Sequence, residues 1–207
     1  MALNGVFITK NLRPMLLSVS ESFDDPEFIF EFKYDGARAL LYCEEGGVTA
    51  VSRNGNDLSA AFPELWRLNR NVSVPCVLDG EIFGLRDGLP SFAVYQKRGM
   101  VTAPTKVKRA AAGFPIRFAA FDILQAGARD LTRLPLSERK TILTQTVTPN
   151  DTLFVADYLE EHGKKLFDAA QKLNLEGIIA KRKTSVYLPG KRSHDWFKIK
   201  NGDYTRG

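Results

Sequence analysis

The sequence predicts an α+β fold, antiparallel β-sheets flanked by helices, and three observations carry that expectation. Runs rich in β-branched and aromatic residues recur along the chain and are bounded by Gly, Pro, Asn and Asp, as strands are. Fewer segments repeat their apolar residues at helical spacing, with Leu166, Ala169, Ala170 and Leu173 the clearest case. The two kinds follow one another as two or three strands and then a helix, an order that packs helices on antiparallel sheets.

Taken in order, strands are expected near Phe28–Lys33, Ala37–Cys43, Gly47–Arg53, Cys76–Phe83, Ile116–Leu124, Thr152–Tyr158, Gly177–Arg182 and Trp196–Lys200. Asp35-Gly36 and Gly46-Gly47 are placed to make the tight turns of a meander. Helices are expected at Ala60–Asn69, Ser91–Lys97, Ser137–Thr146 and Glu161–Leu173. Arg98–Gly113, with its glycines, proline and lysines, reads as a polar connection, and Thr184–His194 as a basic loop between the last two strands. No repeat or linker divides the chain, so residues 1–207 are expected to form one domain.

A chain of 207 residues, 44% hydrophobic and 26% charged, is long enough to bury a substantial core. Its apolar runs are far shorter than the ~20 residues that cross a bilayer. The N-terminus has no basic-then-apolar leader pattern, so a cytosolic protein without a membrane partner is expected. Cys43 and Cys76 sit in strand-like surroundings and read as reduced core thiols, and two histidines exclude a His-rich metal site. The net charge of +5 is unevenly spread. Residues 1–100 hold 10 Lys/Arg against 13 Asp/Glu, residues 101–207 hold 19 against 11, and residues 181–200 hold seven against one. That bias points to a polyanionic partner such as nucleic acid, although a solvated basic face would look the same.

The most informative stretch is Glu31-Phe-Lys33-Tyr-Asp35-Gly-Ala-Arg38. An amine attacks an electrophile only when deprotonated, and a free lysine at neutral pH almost never is. Apolar neighbours and further cations lower that barrier. Alone, the octapeptide fits a surface lysine at a hairpin turn equally well. Four further strings follow it: Val51-Ser-Arg53-Asn-Gly55, Leu78-Asp79-Gly-Glu81, Phe118-Ala-Ala-Phe121-Asp122 and Leu175-Glu176-Gly-Ile-Ile-Ala-Lys181-Arg182. A fifth closes the series, Trp196-Phe-Lys198-Ile-Lys200. Each is weak alone. In this order, on or beside strands, they resemble the nucleotidyltransferase motifs of ATP-dependent DNA ligases and mRNA capping enzymes, over nearly the whole chain. Arg13-Pro-Met-Leu16, Asp25-Pro26 and Tyr187-Leu-Pro-Gly-Lys-Arg-Ser-His-Asp-Trp196 are similar to the bacterial ligase D type, which seals breaks in non-homologous end joining.

The resemblance implies an ATP-grasp-like covalent nucleotidyltransferase fold and assigns roles. Lys33 is implied as the nucleophile that takes AMP from ATP. Lys198 and Lys200, on one strand face with Phe197 and Ile199 between them, match the α-phosphate lysines, and their field helps to keep Lys33 deprotonated. Glu81 and Glu176 match the acids that hold Mg²⁺ or Mn²⁺. Asp35 falls within the nucleophile motif as a candidate catalytic group, and Asp79 falls beside Glu81; turn capping serves both nearly as well. Phe121 matches the aromatic that stacks on adenine, whereas Phe118 points to the other strand face. Glu31 and the backbone of Phe32 lie where the family reads the adenine edge. Arg38 matches an arginine near ribose and phosphate. Arg53 matches one that touches the nick or nucleotide. Lys181 and Arg182 either extend this cationic floor or lie at the surface.

For DNA, Arg53, Lys183, Lys191 and Arg192 are the expected phosphate contacts, with nicked or broken duplex as the partner. The resemblance further implies an OB-fold domain after Lys200, which these residues do not supply, and other end-joining modules or Ku as partners. Slow adenylation by this segment alone is therefore expected. An RNA ligase, a capping-type enzyme or a non-catalytic DNA-binding module of the same fold are the alternatives.

Overall fold

The computed structural model describes residues 9–101 and 103–205. The first half runs β1 (Leu16–Val19), β2 (Asp25–Phe32), β3 (Ala37–Glu44), β4 (Gly47–Ser52), β5 (Cys76–Arg86), β6 (Leu89–Ser91), α1 (Phe92–Gly99) and α2 (Pro104–Gly113). The second runs β7 (Ile116–Ala126), β8 (Arg129–Asp130), α3 (Leu136–Thr146), β9 (Leu153–Val155), β10 (Tyr158–Glu161), α4 (Gly163–Lys172), β11 (Gly177–Arg182) and β12 (Arg192–Lys200).

Two sheets result. The smaller has the order β1-β12-β11-β2-β10; the larger has β4-β3-β5-β7-β8, with β6 added to β5 and β9 to β7. Most pairings are antiparallel as expected, but β1 runs parallel to β12 and β9 parallel to β7. The β3–β4 hairpin at Gly46-Gly47 forms as expected. Asp35-Gly36 does something else. Strands β2 and β3 belong to different sheets, so this turn carries the chain from one sheet to the other. The chain crosses back at residues 156–157, and for that reason the single strand expected at Thr152–Tyr158 is two short ones, β9 and β10.

The period of two along each strand sorts side chains between three larger cores and a small cluster of Phe83, Ala119 and Ala156 beside Phe121. Phe28 and Phe30 pack with Ile178, Ala180, Ile199 and Ala170 of α4 on the outer face of the smaller sheet. Ile29, from the other face of β2, packs with Leu40, Tyr42, Val77, Leu124 and Trp196 between the sheets. Ala39, Leu41, Leu78, Ile82 and Phe118 form the outer core of the larger sheet, with Phe62 and Leu143 against them. Phe118 is thus core, as its strand position required. Cys43 and Cys76 face each other across β3 and β5 as buried free thiols. Among the described residues, no helix is long and apolar enough to cross a membrane.

Three local expectations fail for identifiable reasons. The helix expected at Ala60–Asn69 is three 3-10 turns, Ser59–Ala61, Pro63–Leu65 and Leu68–Asn71. A residue before proline is pushed out of the α region, and Phe62 stands at φ −127°, ψ 75°. Arg98–Gly113 is not a bare connection, because Pro104 opens α2 at its first turn and Ala110, Ala111 and Ala112 continue it. Arg98 ends α1 buried, with Glu64 2.7 Å away. Strand β12 begins at Arg192, four residues before the expected start, and shortens the basic loop accordingly.

Candidate active site

The site occupies the cleft where the two sheets face each other, and strand alternation decides which side chains reach it. On β2 the residues on the Ile29 face are Glu31 and then Lys33, just past the strand end. Ladder register extends this across the smaller sheet. Ile29, Lys181 and Trp196 form one row; Glu31, Ile179 and Lys198 form the next. The third row is Lys33, Gly177 and Lys200, closed by the bond from Lys33 N–H to the Gly177 carbonyl at 3.0 Å. Gly177 has φ +136°, and a side chain there would strike the Ile199 carbonyl. From the larger sheet come Arg38 of β3, Asp79 and Glu81 of β5, and Phe121 of β7. Gly36 lets the crossing segment lie against β5, because a Cβ at that position would collide with the Ile82 carbonyl.

An open cavity of about 440 Å³ results. Its walls include Phe32, Arg38, Glu81, Phe121, Lys181 and Trp196, with Lys33 at its lip. Lys33 Nζ is 2.6 Å from Glu176 Oε2. The amine is therefore held by a carboxylate, one of the two acids that the resemblance brings to the site. Burial pushes the Glu81 carboxyl up to about 8, while Lys33 and Arg38 pull it down and Glu176 and Asp79 push it further up. Burial also lowers the Lys198 ammonium, and the charges of Lys200, Arg192, Lys33 and Arg53 add to that in descending order. Residues from the octapeptide, the Arg53 turn and β12 thus converge on one cationic rim.

Several expected roles are redistributed. Arg38 lines the cavity with its guanidinium anchored on the protein. Its Nε and Nη2 donate to Asp79 at 2.9 and 2.6 Å, its Nη1 to the Met15 carbonyl at 2.6 Å, and it lies 5.3 Å from the Phe121 ring centre. Asp79 also accepts from the Tyr187 hydroxyl at 2.7 Å, which makes it an anchor of the cleft wall. Asp35, a candidate catalytic group, accepts from the Phe92 N–H and the Tyr204 hydroxyl, each at 2.9 Å, and so caps α1. Lys183 is ion-paired with Glu160 on β10. Arg182 pairs with Glu27 and Asp195. Arg53, Lys191 and Arg192 keep exposed or half-exposed positions, with no ion pair among the described residues.

Glu31 lines the cavity, but both its oxygens are engaged. Lys140 of α3 pairs with Oε1 and Lys181 lies 2.7 Å from Oε2. Burial by itself would raise this carboxyl; the two ammonium groups outweigh it, Lys140 more than Lys181, and the pKa ends below its ordinary value. A depressed carboxyl pKa stabilises the fold above the unfolded value, near pH 4.5, and that contribution is lost as pH falls through the folded value. Glu31→Gln is therefore expected to cost about 3 kcal/mol at neutral pH, since it strands buried lysine charge. The loss should shrink below pH 4.5 in thermal melts of the two proteins run side by side.

Lys140 and Trp196 were missed as site residues. Trp196 carried a readable signal, lying two residues before Lys198 on one strand face. Lys140 carried none, because a helix 109 residues downstream of Glu31 meets it only in three dimensions.

Known proteins resemble this chain in sequence and fold. Residues 12–200 match the family model described as the ATP dependent DNA ligase domain. The chain is 34% identical over 194 residues to the SPbeta prophage-derived DNA ligase-like protein LigB of Bacillus subtilis (strain 168), which covers 93% of this chain and 68% of that protein. It is 35% identical over 192 residues to the bifunctional non-homologous end joining protein LigD of the same organism, covering 84% of this chain but only 31% of the relative. The solved structure of mycobacterial DNA ligase D complexed with ATP and MES superposes with a TM-score of 0.79 at 32% identity, covering 93% of this chain and 61% of that one. The chain thus spans about two thirds of the LigB relative and under a third of the LigD relative. The lysine at the sheet crossing, the open cavity and the flanking acids and cations occur in a chain that belongs to the ATP-dependent DNA ligase domain family.

Proposed function

We propose that this chain is the adenylation domain of an end-joining DNA ligase and that Lys33 carries the AMP. The observation that carries the reading is the position of the Lys33 amine, at the lip of the cavity, between Glu81 and Glu176 and beside Lys198 and Lys200. Phe121, with Phe32 and Ile179, offers the apolar wall an adenine ring needs. The proton on Lys33 Nζ passes to Glu176 Oε2, and the neutral nitrogen attacks the α-phosphorus of ATP. A nitrogen–phosphorus bond forms, the bond to the bridging oxygen breaks, and pyrophosphate leaves with the electron pair. Lys198 and Lys200 meet the negative charge that spreads over the phosphoryl oxygens.

Among the described residues no three acidic, His or Cys groups cluster to make a dedicated metal cage. Two carboxylates beside a phosphate site nonetheless suit Mg²⁺ or Mn²⁺, which accept one or two carboxylates and complete their shell with water and phosphate oxygens. Glu81 and Glu176 would hold the ion, which neutralises phosphate charge when bound. The AMP then moves to the 5′-phosphate of a nick or break, and the 3′-hydroxyl displaces it. Arg53, Lys191 and Arg192 supply phosphate contacts for the duplex. Sealing by the whole protein draws on further domains.

Intact mass measurement after incubation with ATP and Mg²⁺ tests the reading. A gain of one AMP per chain, chased off by nicked DNA, is expected. Labelling by GTP in preference to ATP, or transfer to nicked RNA but not DNA, would move the chain to the capping or RNA-ligase class. No adduct under any condition would leave only a binding module.

A further inference from the structure

Beneath the base cavity lies a buried chain of three charges. Helix α3 turns Leu136, Arg139, Lys140 and Leu143 inward, and Lys140 reaches Glu31 Oε1. Glu31 Oε2 meets Lys181 of β11 at 2.7 Å. All three side chains are at most 5% exposed. The Lys181 ammonium is 4.2 Å from the Phe121 ring centre and 4.5 Å from that of Trp196, wedged between the walls of the cavity it lines. Lys140 does not line the cavity; it touches it only through Glu31. The trio carries one net positive charge, out of water, where an uncompensated charge costs several kcal/mol. The fold alone does not call for that arrangement, since α3 is already anchored by Arg139 on Asp122.

We propose that Lys140 is a positioning residue of the nucleotide pocket: by clamping Glu31 from behind it sets the aim and the charge of Lys181, the donor that meets the acceptor ring nitrogen on the edge of adenine. This inference rests on the nucleotide reading given above. Its logic is a pairing code. A lysine ammonium donates and never accepts, so it favours adenine, whose ring edge has an acceptor there, over a base with an N–H at the same place. A buried polar group left facing the wrong partner is what makes such discrimination strong.

The charge on Lys181 is tunable. It is lowered to about 8: burial lowers it most, Lys140 adds to that, and Glu31 and Asp122 oppose them. The groups facing it are Glu31 from β2, Lys140 from α3, Asp122 from β7 (itself paired with Arg139) and, across the same two rings, Arg38 from β3. Removing the Lys140 charge relieves repulsion and leaves Glu31 wholly to Lys181, so Lys181 keeps its proton to higher pH.

Equilibrium binding of adenosine, which has no phosphates and needs no metal, isolates this contact from Lys33, Glu81 and Glu176. Across pH 6 to 10, wild-type affinity is expected to fall about tenfold around pH 8, as a charge-assisted bond becomes a neutral one. Lys140→Met should move that fall upward by about one pH unit, and Lys140→Arg should return it. Inosine, with a ring N–H in place of the acceptor, should bind about tenfold more weakly at neutral pH. Superimposable curves for wild type and a folded Lys140→Met protein overturn the proposal. So does a wild-type curve with no fall, a result that needs no variant to fold. If those results accompany normal lysyl-AMP formation by wild type with ATP, the adenylation reading survives and only the role of Lys140 is lost.

Discussion

Lys33→Ala is expected to give a folded protein that forms no covalent adenylate. The side chain is one-fifth exposed and its partner Glu176 is 14% exposed, so loss of the pair removes a partly solvated contact worth about 1 kcal/mol or less. The chemistry, by contrast, has no substitute. Of the other lysines near it, Lys181 is enclosed behind the aromatic walls and tied to Glu31, and Lys198 and Lys200 lie on β12, two strands away from β2. Lys33→Arg should be equally inactive, because a guanidinium does not deprotonate in a protein. Label from α-labelled ATP that survives a denaturing gel reads the result. Equal labelling of wild type and Lys33→Ala would refute the assignment of the nucleophile.

The largest loss of stability is expected away from the cleft, at Asp122→Ala. Arg139 donates to both Asp122 oxygens at 2.8 Å and to the carbonyls of Leu134 and Ser185 at 2.6 and 3.0 Å, and both side chains are fully buried. Removing the carboxylate strands a guanidinium out of water, which costs about 3–5 kcal/mol. A domain holds only about 5–15 kcal/mol in total, so the thermal midpoint should drop by about 10 °C. Replacing both residues together, as in Asp122→Leu with Arg139→Met, should recover most of the loss, since the unpaired charge goes with its partner. Circular dichroism melts decide it, and an unchanged midpoint for Asp122→Ala would contradict the pair's role. The effect should reach the cavity as well: Ser185 also accepts from Trp196 Nε1 at 3.0 Å.

Residues whose role is set by strand position were legible. Alternation placed Lys198 and Lys200 on one face and Phe118 opposite Phe121, and the structure keeps both arrangements. Lys33 lies next to Glu176 and near Glu81 because each motif ends on the same side of its sheet. The residues whose surroundings were not legible are those with alternative partners. Arg38, Asp35 and Lys183 each carry a charge that a nearby element could claim before any ligand does. Asp79, the α1 terminus and Glu160 respectively claim them. A string of residue names holds no record of such competition.

What the sequence by itself determined was the longer strands and their inward faces, whereas the short β1, β6 and β8 left no readable pattern. Those longer strands follow from a period of two, which is local, and the acids and cations around Lys33 follow from the resemblance of their motifs. What only the tertiary structure decided was that Asp35-Gly36 joins two sheets instead of closing a hairpin, and that Lys140 stands behind Glu31. Sheet membership depends on which distant strand offers the better ladder and core. A buried charge is governed by whatever partner the packing brings within reach, here a helix more than a hundred residues away. Lys33 is a candidate nucleophile by its sequence neighbours, and it stands at the lip of a cavity because the chain changes sheets there.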